Sequence, residues 1–117
     1  MATLTVNEVN LTGFRDDNAL VAAAGGGDSF LPGDTTYIRV NNGGGSPITV
    51  TVATPGSTGN SGLGIADVSV SVTNAQSRLI GPFPSQLFAQ SDDGLADITY
   101  SGVTSVTVGA FRLPKLL

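Results

Sequence analysis

The sequence predicts an all-β chain folded as a single antiparallel β-sandwich domain. Three observations carry this reading. Thirteen Thr, 12 Val and 5 Ile make β-branched residues a quarter of the 117 positions, and such side chains pack well on a pleated surface but lose rotamer freedom in a helix. The chain has one Glu and one Lys, the residues that normally dress exposed helix faces. Its clearest hydrophobic signal is alternation with a period of two.

In chain order, Leu4 and Val6 occupy even positions whereas Val9 and Leu11 occupy odd ones, so residues 1–12 are expected to form an N-terminal arm that changes phase. Asn18 to Ala24 reads as a short helix or, nearly as well, a strand, ended by Gly25-Gly26-Gly27. Thr36-Tyr37-Ile38-Arg39-Val40-Asn41 alternates cleanly, with Ile38 and Val40 on one face and Tyr37 and Arg39 on the other. Pro47-Ile48-Thr49-Val50-Thr51-Val52 does the same, with Pro47 at the strand start where its missing N–H does least harm. The loop between them, Asn42-Gly43-Gly44-Gly45-Ser46, predicts a β-hairpin.

The stretch from Thr54 to Gly64 is long, uncharged and Gly-rich, and is expected to be the most mobile segment. Asp67 to Thr73 alternates with Val68, Val70 and Val72 on one face. Shorter strands are expected at Arg78–Ile80 and Gln86–Ala89, separated by Gly81-Pro82-Phe83-Pro84, with Phe83 and Phe88 in the core. Asp97–Tyr100 and Val106–Val108 flank Ser101 to Ser105 and predict a second hairpin. After Gly109 the apolar phase shifts from Val106, Val108 and Ala110 to Phe111 and Leu113, which requires either a bulge or burial of both faces. A C-terminal tail is expected over 113–117. About eight short strands with turn signals at intervals describe a jelly-roll or immunoglobulin-like sandwich.

Composition excludes much chemistry. The chain has no Cys and no His, which removes disulfides, thiolate metal sites, thiol nucleophiles and the commonest general base. A net charge of −4 argues against nucleic acid, whose phosphates demand a basic face. No stretch approaches the ~18 apolar residues of a membrane helix, and the start of the chain lacks the pattern of a signal peptide. A protein free of nucleic acid and membrane, made in a cytoplasm, is expected. Charged residues are 12% of the chain, about half the usual share, so Thr, Ser and Asn carry the polar surface.

Candidate sites are few. Neither glycine run leads into the Lys-Ser or Lys-Thr of a phosphate loop, and Gly62-Leu63-Gly64 followed by Asp67 is a fragment of a dinucleotide fingerprint in the wrong fold class. Both read as turns. Asp92, Asp93 and Asp97 around Gly94 supply the oxygen type that calcium takes, but a turn with Asp accepting from local N–H groups explains them more simply. As a glycosidase pair they lack a cleft. Serine nucleophiles lack a base, Lys115 is the sole lysine, and there is no Gly-x-Ser-x-Gly elbow. The expectation is a non-enzyme without cofactor or metal.

Several segments, taken in order, resemble a group of small tailed-bacteriophage head decoration, or cement, proteins. They are Ala23-Ala24-Gly25-Gly26-Gly27-Asp28-Ser29-Phe30, Thr36-Tyr37-Ile38-Arg39-Val40-Asn41-Asn42, Pro47 to Val52, Ile80-Gly81-Pro82-Phe83-Pro84 and Asp97 to Val108. The Gly-Pro-Phe step and the closing Thr-Tyr-Ser-Gly-Val-Thr segment are the most specific. The resemblance implies a virion protein on the capsid exterior that bridges major capsid subunits and has no catalytic site. The major capsid protein is then the expected partner, with self-association as a homo-oligomer, a trimer for instance, compatible. Expected contact residues are Leu4 and Val6 near the start, Pro55 and Leu63 in the long loop, and Leu116 and Leu117 at the end. The rival classes are a carbohydrate-binding or adhesion module, for which Tyr37 and Tyr100 are sparse equipment, and a tail or fibre accessory subunit.

Overall fold

The alternating segments become the long strands of two packed sheets. The computed structural model describes residues 2–13, 19–54, 67–90 and 94–113. Within them lie β1 (Ala2–Thr3), β2 (Val6–Glu8), β3 (Val21–Ala22), β4 (Asp28–Phe30), β5 (Thr36–Asn42), β6 (Ile48–Ala53), β7 (Val68–Val72), β8 (Gln76–Ile80), a helical turn α1 (Ser85–Phe88), β9 (Ala96–Tyr100) and β10 (Val106–Arg112). One sheet has the order β1-β4-β9-β6-β7; the other runs β2-β10-β5-β8, with β3 also on β10. The predicted all-β sandwich is the observed architecture. Its strands exceed the expected eight because two- and three-residue strands near the start join both sheets.

The core fills the gap between the sheets. From the first come Phe30, Ile48, Val50, Val52, Val72, Ala96 and Ile98; from the second come Ile38, Val40, Ile80, Val106, Val108 and Ala110, all buried. The predicted inward faces of β5, β6 and β7 are the observed ones, although Val68 and Val70 on the edge strand are only partly covered. Phe83 and Phe88 are in the core, as expected.

Both expected hairpins are corrected. Strand β5 lies in the second sheet, paired with β8 and β10, whereas β6 lies in the first, paired with β7 and β9. Likewise β9 and β10 belong to opposite sheets. Each loop is an arch that carries the chain across the sandwich. Alternation cannot separate the two cases, because it says only which side of a strand meets the core. In a hairpin the two apolar faces lie side by side, and in an arch they face each other. Among the described strands, only β6 and β7 are both consecutive and hydrogen-bonded. Apart from β2–β3 and β6–β7, consecutive strands alternate between the two sheets.

What selects the arch is visible at Asn42, the last residue of β5. Its side chain is fully buried and donates to the carbonyls of Ser46 (2.9 Å) and of Val72 (3.0 Å) in the opposite sheet, while its Oδ1 accepts from Gly44 N (3.0 Å). The two arches also abut. Gly43 N donates to Ser105 O at 2.9 Å, and a Cβ at Gly44 would stand 2.8 Å from Thr104 O. The glycine run is therefore the space into which the second arch fits.

Three further expectations are resolved. The segment around Val21 and Ala22 is a strand rather than a helix. Residues 86–89 do not form a strand: Ser85–Phe88 is a single helical turn after Pro84, whose ring cannot supply the N–H that a ladder needs. The phase shift after Gly109 involves no bulge. Strand β10 pairs with β5 without a break from Val106↔Asn42 to Arg112↔Thr36, and both faces are buried at Ala110 and Phe111. Phe111 points away from the core and stacks on Tyr37, with ring centroids 5.7 Å apart.

The start of the chain is woven in rather than held as an arm. Ala2 pairs with Asp28 in the first sheet and Val6 with Ala110 in the second, both in parallel. Between them Leu4 enters the core and is 6% exposed. Leu4 is thus corrected from a contact residue to a core residue, because a segment that changes sheets must cross the apolar gap. Val6 is half-buried. The expected mobile loop falls almost wholly within residues 55–66, and with Pro55 and Leu63 it lies outside the described residues, as do Leu116 and Leu117.

If Asn42 holds the two sheets together, Asn42→Ala removes three hydrogen bonds at once and leaves the buried Val72 carbonyl without its partner. We expect a loss of about 2–4 kcal/mol, read as a lower urea midpoint with an unchanged slope.

Candidate functional site

One end of the sandwich gathers exposed apolar side chains. Strand β8 ends at Ile80, the Gly81-Pro82 bond that follows is cis, and Phe83 lies in the core. Phe83 meets Phe30 and Phe88 edge-on, at centroid distances of 5.3 and 5.0 Å. Its backbone N donates to Thr36 O at 3.0 Å. Gly81 is required here: φ is +145°, and a Cβ would lie 2.8 Å from Tyr37 Cβ. With Phe83 anchored inside, Pro82 and Leu79 remain on the surface.

Leu79, Pro82, Tyr37, Leu113, Asp34 and Thr35 line a shallow groove of about 470 Å³. Leu79 is 66% exposed and Leu113 51%. Leu113 is held at the rim by its N–H, which donates to Thr35 O at 3.2 Å. Across the Asp34–Thr35 turn a second groove carries Leu31, 61% exposed, beside Pro32 and Arg112. The Arg112–Glu8 ion pair at 2.7 Å is exposed at both ends and contributes little energy. The surface is apolar, shallow and edged by few charges, which suits another protein's surface better than a small polar substrate.

Sequence reasoning found only part of it. Leu113 was placed at the start of the tail, but Leu79 was missed, though a signal existed. In the edge strand Arg78-Leu79-Ile80, two adjacent large apolar residues cannot both face inward. Leu79 sits opposite Arg39 on the outer face, and Ile80 sits opposite Ile38 on the inner one. Leu31 carries no such signal.

A polar node lies buried at the other margin of the first sheet. The Tyr100 hydroxyl donates to Asp28 Oδ2 at 2.8 Å, and Ala24 N donates to the same oxygen at 3.2 Å. Asp28 is 1% exposed, and its Oδ1 has no partner. The approach is close because Gly27, at φ +97°, leaves only 2.6 Å between the position of a Cβ and Ile98 O. Burial pushes the Tyr100 hydroxyl well above its ordinary range, helped by its hydrogen bond to Asp28 and by the carboxylate charge. The phenol is therefore a proton donor that stays protonated, fastening the turn before β4 to β9. The resembled Gly-Gly-Gly-Asp-Ser-Phe and Thr-Tyr-Ser segments meet here.

Of the carboxylates considered for a metal, Asp97 lies on β9, in register with Ser29 and Ala53. Asp92 and Asp93 lie outside the described residues. Among the described residues no three His, Cys, Asp or Glu side chains cluster as a metal site.

Tyr100→Phe removes a hydrogen bond to a buried carboxylate, and we expect a cost of about 2 kcal/mol at neutral pH. The alkaline limb gives a second check. Unfolded tyrosine ionises from about pH 10 while folded Tyr100 stays protonated, so wild-type stability falls as pH rises above 10, by at most ~1.4 kcal/mol per pH unit from this group. The Phe variant lacks that part of the decline in a pH series of denaturant melts.

Compared with protein-family models, curated proteins and solved structures, the chain matches none of the three.

Proposed function

We propose that the chain is a structural virion protein that seats on the outer surface of a bacteriophage capsid and bridges neighbouring major capsid subunits. The observation that carries this reading is the apolar end of the sandwich, where Leu31, Leu79 and Leu113 stand exposed around the Asp34–Thr35 turn. A protein partner covers such side chains at little electrostatic cost. The resemblance of the ordered segments to head decoration proteins points to the same kind of partner. Copies repeated over a closed shell clamp the seams between subunits even where each copy binds modestly. Because the surface holds few charges, its affinity depends weakly on salt.

A second reading has one observation in its favour. Tyr37 shares the groove with Asp34 and Thr35, and a ring beside a carboxylate and a hydroxyl suits a sugar. A glycan array separates this carbohydrate-binding reading from the first.

The test is co-sedimentation of the purified protein with undecorated shells. Wild type pellets with the shells, with affinity changing less than about threefold between low and high salt. Leu79→Asp combined with Leu113→Asp weakens binding by about thirtyfold with an unchanged thermal melt, since both side chains are exposed. Absence of saturable binding, or binding indifferent to the double substitution, overturns the reading.

A further inference from the structure

Two open strand edges run along one flank of the sandwich, β7 closing the first sheet and β8 the second. An unpaired edge is a row of N–H and C=O groups that another strand can pair with, and edges that must stay free are usually guarded. Strand β8 is guarded. Arg78 lies opposite Val40 on the core-facing side, so a strand arriving there has to desolvate a guanidinium. Strand β7 has no such device. Val68-Ser69-Val70-Ser71-Val72 contains no charge and no proline, and it pairs with β6 residue for residue from Ile48↔Val72 to Val52↔Val68, without a bulge. No described strand pairs with its outer edge.

These five residues read the same in both directions. Two copies set antiparallel about a two-fold axis through Val70 place Val68 opposite Val72, Ser69 opposite Ser71, and Val70 opposite itself. An isologous contact demands this, since every pair must occur twice. Valines then extend the core-facing row and serines the outer one, whereas a slip of one residue sets valine against serine. Charges agree with the register: Asp67 falls opposite Thr73, so no like charges meet at either end of the seam. On the same flank the partly covered Val68 and Val70 border a groove of about 300 Å³ that they share with Ile80, Phe83 and Arg78.

We propose that β7 is a homodimerisation strand, joining the first sheets of two copies into one continuous sheet. This does not depend on the capsid reading, and sedimentation of the protein alone tests it. Sedimentation equilibrium of the full chain from micromolar to millimolar concentration gives a mass rising toward twice the 11.7 kDa of one chain. Ser69→Lys with Ser71→Lys sets lysine against lysine twice across the axis and raises the dimer dissociation constant about tenfold or more. Ser69→Lys with Ser71→Asp sets lysine against aspartate twice and returns it near the wild-type value. Both serines are exposed, so circular dichroism melts verify that each variant folds.

A chain that stays monomeric throughout overturns the proposal, as does a dimer that neither variant weakens or that both weaken alike. A monomeric wild type whose binding to shells is lost in the lysine variant also overturns it, and assigns the edge to a strand of another protein.

Discussion

The side chain of Asn42 is fully buried and makes three hydrogen bonds: one across the gap to Val72, one to Ser46 and one from Gly44. Its carbonyl accepts a further bond from Ala75, in the turn that leads from β7 to β8. This one residue therefore ties the end of β5, the first arch, the end of β7 and the following turn. A polar group at zero exposure is destabilising unless it is satisfied, and only the arched arrangement satisfies this one as it is found. The second arch packs against the first through Gly43 and Gly44, so its position follows from the same amide. With both arches set, β9 lies between β4 and β6, and β10 lies beside β5.

Much of the fold was legible because burial imposes a period on a strand. Ile38 and Val40, the apolar side of β6 and the valines of β7 were readable as inward faces from their spacing alone. Partnership was not legible, for a definite reason: a period of two marks a face and is silent about which strand lies alongside. The glycine-rich loops look like hairpin turns in either arrangement, and their decisive feature is that Asn42 points inward. Burial of both faces near Phe111 was one of two outcomes its phase allowed; the outer site exists because Tyr37 offers a ring to stack on. The site was less readable than the fold. An exposed leucine gains its meaning from its neighbours, and Leu31, Leu79 and Leu113 come from three distant parts of the chain.

The apolar end and the core are mechanically linked. Phe83 sits at the centre of a trio with Phe30 and Phe88, and the same short segment that delivers it inward leaves Pro82 and Leu79 outside. The groove thus rests on a rigid element of the core rather than on a free loop, so little ordering is required when a partner covers it. The Asp28–Tyr100 pair has the corresponding role at the other margin, pinning the turn that precedes β4.

The parallel pairing of β2 with β10 has a consequence for how the chain is made. Val6, Asn7 and Glu8 find their neighbours at Ala110, Phe111 and Arg112, and β3 and β5 also wait on β10 for one of their sides. A ribosome releases the first of these residues long before it has synthesised the last. Until then the second sheet has no centre, and Val40 and Ile38 have only β8 beside them. Completion of this sheet accordingly waits until β10 has been synthesised, and the nascent chain must keep its β-rich, weakly charged segments apart until residue 112 is free.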